Sequence, residues 1–163
     1  MQAFVPSARR GVAGMLPGMD FNGSTLQRLS LDECMALMAS ASVGRIVYTW
    51  QALPAVALVS FALLDGDIVI RANAGGELAT ATRQAVVAFE ADSVDSAGHL
   101  GWSVTVVGHS RAVTGSQEIQ GLERVALISW RPEGRHHYIR ISPAIAHGRQ
   151  LSAPQVGTSS QPR

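Results

Sequence analysis

Two adjacent residues, Asp65-Gly66, constrain the fold of this chain more than any others. They separate a nearly continuous apolar run, Ala55 to Leu63, from a second strand-like run, Asp67 to Ala72. An Asp-Gly pair supplies the two positive-φ positions of a tight turn whose twist matches that of paired strands. Placed between such runs, it specifies an antiparallel hairpin. The first run is apolar on both alternating faces, which predicts a strand buried on both sides.

The flanking segments extend the pattern. Ser30-Leu31-Asp32-Glu33 has the form of a capping box, with Ser30 as N-cap and Glu33 three residues on. Leu31, Cys34, Met35, Met38 and Ala41 follow at helical spacing. From Val43 to Trp50 the period becomes strand-like. A short helix is expected over Glu77 to Arg83, and strands over Val86 to Ala91 and Trp102 to Val113. A helix over Gln117 to Ile128 and a closing strand over His137 to Ile141 complete the order. Hairpins dominate and helices are few. The pattern suits a mainly β fold, a closed antiparallel barrel with peripheral helices, and not a doubly wound sheet.

With 163 residues, 47% of them apolar, the chain can bury one real core. Residues 1–24 read as a flexible N-terminal arm, 25–151 as the folded domain and 152–163 as a disordered tail. Only 15% of residues are charged, which predicts that part of the surface is covered by another copy. The net charge of +1 gives no global attraction to nucleic acid or to anionic lipid. No apolar run reaches membrane-spanning length, and Gly11 to Gly18 after Arg9-Arg10 is too short and Gly/Pro-rich for a signal segment. The single cysteine, Cys34, fits a reducing cytoplasm and a core position on the first helix.

Four groups of residues could carry chemistry. Arg71 ends a strand, and Ala72-Asn73-Ala74-Gly75-Gly76 leads into a helix. Glycines allow close backbone approach, free amides favour an anion and the Arg fork suits phosphate. Gly101-Trp102-Ser103-Val104 places a Trp where it can lie beside a planar ligand or simply fill a core. Arg131, Arg135, His136, His137, Arg140, His147 and Arg149 form a basic cluster. It reads as a solvated rim or as arginines facing an anionic ligand, and His136-His137 lacks the spacing of a helical metal pair. Glu90 and Asp92 share a strand face, but with Asp95 they read as a solvated acidic turn. No metal site is expected and no catalytic residue can be singled out.

Taken in order, the motifs resemble the flavin-binding split β-barrels of the pyridoxamine 5'-phosphate oxidase-like superfamily. The matching segments are Ser42-Val43-Gly44-Arg45-Ile46, Pro54 before an apolar strand, Asp65-Gly66 and Ile68-Val69-Ile70-Arg71. Val87 to Asp92, Gly101-Trp102-Ser103-Val104 and Arg140-Ile141-Ser142-Pro143 with Gly148-Arg149 continue the likeness, which spans about Leu29 to Leu151. The resemblance implies a six-stranded antiparallel split β-barrel that forms a homodimer, with FMN at the subunit interface. It implies phosphate near Arg71, Ala72, Asn73, Gly76, Glu77 and Leu78. The isoalloxazine would lie along Val56, Ala57, Leu58, Val59 and Ser60, with Trp102 close by at the dimer boundary.

One departure stands out. Relatives carry Thr, Ser and Lys where this chain has Ala72, Gly76 and Glu77. A carboxylate in place of a cation repels phosphate by a few kcal/mol at short range, so weakened FMN binding is expected. The resemblance implies an oxidoreductase passing electrons from a nicotinamide cofactor to a small molecule. A relative of the same fold that binds the deazaflavin F420, and a catalytically inactive dimeric binding protein, are the alternatives.

Overall fold

The computed structural model describes residues 20–21, 24–95, 100–125, 127 and 135–153. Most of the expected arm and tail, and Gly98, Trp130 and Arg131, lie outside the described residues. The elements in chain order are β1 (Asp20–Phe21), β2 (Ser24–Leu29), α1 (Leu31–Ala39), β3 (Val43–Trp50), β4 (Leu53–Leu64) and β5 (Asp67–Asn73). They continue with α2 (Glu77–Ala81), β6 (Gln84–Asp95), β7 (Leu100–Ala112), α3 (Ser116–Glu123) and β8 (His136–Ser152).

The hairpin forms at the expected place. Asp65 and Gly66 take φ values of 55° and 82°, and β4 pairs with β5 through Phe61↔Ile70 to Leu64↔Asp67. The capping box forms as well. Ser30 N–H donates to Glu33 Oε2 at 2.7 Å, and Glu33 N–H donates to Ser30 Oγ at 3.3 Å.

Strand pairing runs β8-β5-β4-β3-β6-β7, and β7 pairs back onto β8, so six antiparallel strands close into a ring. This is the expected six-stranded split-barrel architecture. Its interior is filled by Ile46 and Tyr48 of β3, Val59 and Phe61 of β4, Ile68 and Ile70 of β5, and Val87, Phe89 and Ala91 of β6. Val104 and Val106 of β7 and Ile139 and Ile141 of β8 complete it, with Cys34 and Met38 of α1 packed against them. Phe61 and Phe89 meet edge to face, with ring centroids 4.9 Å apart. Each such side chain contributes about 1.5–3 kcal/mol on burial. Cys34 is fully buried, and burial is the main cause that pushes its thiol pKa up, so its core role holds.

Four features depart from the expectations. β8 does not stop at Ile141 but continues to Ser152, past a register shift between Val107 and Gly108 of β7. Its second half then accepts β2 as a further neighbour, from Thr25↔Ser152 to Leu29↔Gly148. Finally, β4 is not covered on both sides within one chain, since Leu53, Val56 and Leu58 are exposed. The third helix ends at Glu123, short of Ile128.

The outer surface of the ring has a covered side and an uncovered side. On the covered side, Val113, Leu122 and Leu127 pack on Val69 and Tyr138. Arg111 Nη2 lies 2.8 Å from Glu118 Oε1, and Arg140 Nε lies 3.0 Å from the same oxygen, so α3 is held to β7 and β8. On the uncovered side, Val56, Val47, Ala88, Val107 and Ile145 stand opposite one another on five successive strands. Val56 is 63% exposed and Ile145 52%, and among the described residues no helix covers this apolar row.

Candidate functional site

Strand alternation sorts the expected binding residues onto two faces. Ala57, Val59 and Ala72 point into the ring, where they belong to the core or pack against it. Val56, Leu58, Ser60, Arg71 and Asn73 alternate with those inner residues and lie on the outer surface. Phe61↔Ile70 is the last pair of the β4–β5 ladder, and the two strands part beyond it. Ser60 and Arg71 are the next residue on each strand, at the opening of that split.

Both carry unspent hydrogen-bonding capacity. Ser60 is buried, and its Oγ has no hydrogen-bond partner among the described residues; the same holds for Arg71 Nε. Arg71 uses Nη1 only for a long 3.4 Å bond to the Leu127 carbonyl. Guanidinium offers five donors in a planar fork. An isolated buried donor or acceptor costs about 1–3 kcal/mol, so two orphaned groups flanking one split mark a place for a polar ligand. These residues fit an anionic cofactor group.

Glu77 is placed differently from the simple expectation. It is exposed at the first position of α2, and the Tyr48 hydroxyl donates to its Oε1 at 2.8 Å. Tyr48 belongs to the inner face, so the Glu77 carboxylate is held over the mouth of the ring. Burial, and then the bond to Glu77, push the Tyr48 pKa up to about 12. The phenol therefore stays a donor at neutral pH. Leu78 packs against the core cluster, and Gly76 caps α2 without a side-chain hydrogen bond. At five residues, α2 supplies little helix dipole. Gly75, with φ of 76°, allows the chain to turn sharply ahead of it.

Trp102 is not brought to this split within one chain. It packs partly buried against the core and pairs with Ser93 and Gln150. Arg71 pairs with Tyr138, near the opposite end of β8. The twelve residue steps from Tyr138 to Gln150 span about 40 Å of strand contour. The basic cluster is likewise dispersed along β8. Arg140 donates to Asp67 Oδ2 at 3.2 Å, while His147 and Arg149 lie past the register shift. The expected acidic pair does share a face: Arg45 bridges Glu90 at 2.9 Å and also binds Asp92. Among the described residues, no group of three His, Cys, Asp or Glu side chains could hold a metal ion, and no helix is long and apolar enough to cross a membrane.

A closed ring of six strands with a polar split on its outer surface defines a class, the split-barrel proteins, and comparison with known proteins narrows it. The family model for pyridoxamine 5'-phosphate oxidase matches residues 30–150, and the chain belongs to that family. The uncharacterised protein Rv0080 of Mycobacterium tuberculosis is 33% identical over 130 residues, which are 77% of this chain and 85% of that protein. The solved structure of an FAD-binding protein from Mycobacterium smegmatis is 30% identical, with a TM-score of 0.66 over 77% of this chain and 97% of its own. A candidate pyridoxamine 5'-phosphate oxidase of Corynebacterium glutamicum is 29% identical, with a TM-score of 0.71 over 83% and 98% of the two chains.

Proposed function

We propose that this chain is a homodimeric flavin-dependent oxidoreductase that holds FMN across the β4–β5 split, where the covered and uncovered parts of the outer surface of the ring meet. The observation that carries the reading is the pair of orphaned polar groups, Ser60 Oγ and Arg71 Nε, at the β4–β5 split. Arg71, with Ser60 and Asn73, would bind the phosphate, and exposed Val56 and Leu58 would lie along the flavin ring. Bound flavin would supply electron transfer between a nicotinamide cofactor and a small organic molecule. The protein would orient both reactants and exclude water.

The second copy follows from the apolar row. Its exposed Val56 and Ile145 are the kind of uncovered apolar patch that marks an interface. A two-fold dimer would also offer Trp102 of one copy to the split of the other, which one chain does not do. Glu77 weighs against FMN less than its charge suggests, because Tyr48 holds the carboxylate over the ring mouth and away from the Arg71 surface. Since the Mycobacterium smegmatis neighbour binds FAD, that flavin is the competing cofactor. The one cysteine is fully buried and fits the reducing cytoplasm as the working compartment.

The test is reconstitution. Protein incubated with FMN or FAD, then desalted, should retain visible flavin absorbance, with mass analysis identifying which flavin stays bound. A colourless protein after both incubations would overturn the reading.

A further inference from the structure

The end of the ring that α2 closes holds a histidine for which the flavin reading has no role. His137 stands directly opposite Ala72 in the β5–β8 pair. It alternates with the buried Ile139 and Ile141, so it lies on the inner face. Its Nε2 is buried and has no hydrogen-bond partner among the described residues. Such unpaired atoms are rare in folded proteins and call for an explanation. Burial, and then the positive charge of Arg83, hold the His137 pKa below its ordinary value. The imidazole is therefore stored neutral behind a small helix.

The surroundings give a proton on that ring nowhere to go. Glu77 of α2 is already bonded to the Tyr48 hydroxyl of β3, at 2.8 Å. Arg83, just past α2, repels a second positive charge. β6 opens on uncharged Gln84 and Ala85, and β7 closes on uncharged Ala112. Arg71 and Asn73 of β5 flank Ala72 and face outward, as does His136 on β8. The element able to yield is α2. It has five residues, no side-chain cap at Gly76 and no basic residue in its last turn. A helix this short depends on its packing, here Leu78 and Ala81 against the core, and on the tie from Tyr48 to Glu77. Weakly held segments of this kind open before the rest of a domain.

We infer that His137 is an acid-sensitive catch for α2: neutral, it lets the helix close the ring mouth, and protonated, it shifts α2 toward an open arrangement in which water reaches the imidazolium. The direction follows from linkage. A histidine whose folded pKa is lowered binds fewer protons closed than open. Closure is then fully favoured above the ordinary value of about 6.5 and weakens as pH falls below it, levelling off under the folded value. Ala74-Gly75-Gly76 tie α2 to the strand of Arg71, so opening would disturb the phosphate end of the proposed site. That consequence rests on the flavin reading; the catch itself does not.

The experiment is amide hydrogen exchange of the full, flavin-free chain from about pH 7.5 to about pH 5, corrected for the intrinsic pH dependence of exchange. Protection over Glu77–Ala81 should fall roughly fivefold or more in the parent, while Leu31–Ala39 of α1 keeps its protection. His137→Gln, which stays neutral, should hold the α2 protection level across the range. Imidazole NMR of the parent should show His137 titrating below its ordinary value, and Arg83→Gln should move it back up; these two measurements stand even where His137→Gln fails to fold. Equal loss of α2 protection in the parent and in His137→Gln, loss from α1 and α2 together, or a His137 that titrates at its ordinary value would overturn the catch. In a parallel arm with flavin, acid opening of α2 without flavin release would uphold the catch and overturn its link to the flavin site.

Discussion

The covered and uncovered sides of the ring begin from the same chemistry and end differently. On one side, Val69 and Tyr138 lie under Val113, Leu122 and Leu127, and Glu118 locks α3 onto Arg111 and Arg140. On the other, Val56, Val47, Ala88, Val107 and Ile145 form an equally apolar row with no helix above it among the described residues. A chain that spends a helix on one apolar surface and leaves another open has a use for the second. The proposed use is a partner copy and a flavin.

The largest expected effect comes from spoiling the open side. Val56→Asp places a carboxylate in the apolar row, and burying it unpaired against a second copy would cost on the order of 3–5 kcal/mol. Sedimentation should show a monomer, while thermal unfolding of the single chain changes little because Val56 is exposed there. A variant that stays dimeric would break the comparison.

On the covered side the matching change acts on folding instead. Leu122→Ala removes a side chain that is 2% exposed and should lower stability by about 2–5 kcal/mol in denaturant unfolding, with dimerisation intact. Next in size is Arg71→Gln, which removes a charge-assisted phosphate contact of about 1.5–3 kcal/mol. Flavin affinity should fall by roughly ten- to a hundredfold in a fluorescence titration. No change would place the phosphate elsewhere.

The covered side also predicts a pH response. The Arg111 hydrogen bond is the chief cause that holds the Glu118 carboxyl below its ordinary value. The stabilisation from this clamp is then fully present above the unfolded glutamate value of about 4.3. It is lost as pH falls through the lowered folded value. Unfolding followed across acid pH should show this loss in the parent and less of it in Glu118→Gln, which costs about 1 kcal/mol at neutral pH. The smallest effect is the interior control. Tyr48→Phe removes a hydrogen bond whose partner Glu77 is exposed to water, at about 0.5–1.5 kcal/mol of stability. Dimerisation should stay near its parental value, while flavin affinity should fall by about threefold or less as the freed Glu77 carboxylate gains access to the Arg71 surface.

Local signals in the sequence carried well into the structure. The Ser30–Glu33 box, the β3 alternation and the Asp65-Gly66 turn depend on neighbours in the chain, and each formed where expected. Non-local features were harder to see. β2 has a mostly polar sequence, Ser24-Thr25-Leu26-Gln27-Arg28-Leu29, and exists because the second half of β8 offers it a free edge. The reach of β8 itself was hidden by Pro143, which reads as a stop. The register shift seats Pro143 opposite Gly108 and Ile145 opposite Val107, so Ala144 is left out of the ladder and the strand continues.

The site was legible only in part. Arg71 could be named from its place before the glycines. That Ala57, Val59 and Ala72 face inward while Ser60 and Arg71 flank a split follows from the register of the hairpin, which sequence alone does not give. His137 was read only as one of a basic cluster, because its place at the ring mouth opposite Ala72 exists only through β5–β8 pairing.

The measurement that bears most directly on the account is flavin titration of the parent and of Val56→Asp, each with its mass in solution determined at the same concentration. The account predicts a dimer that saturates at one flavin per chain and a monomeric variant that fails to saturate. A monomeric Val56→Asp that binds flavin as tightly as the parent would contradict it.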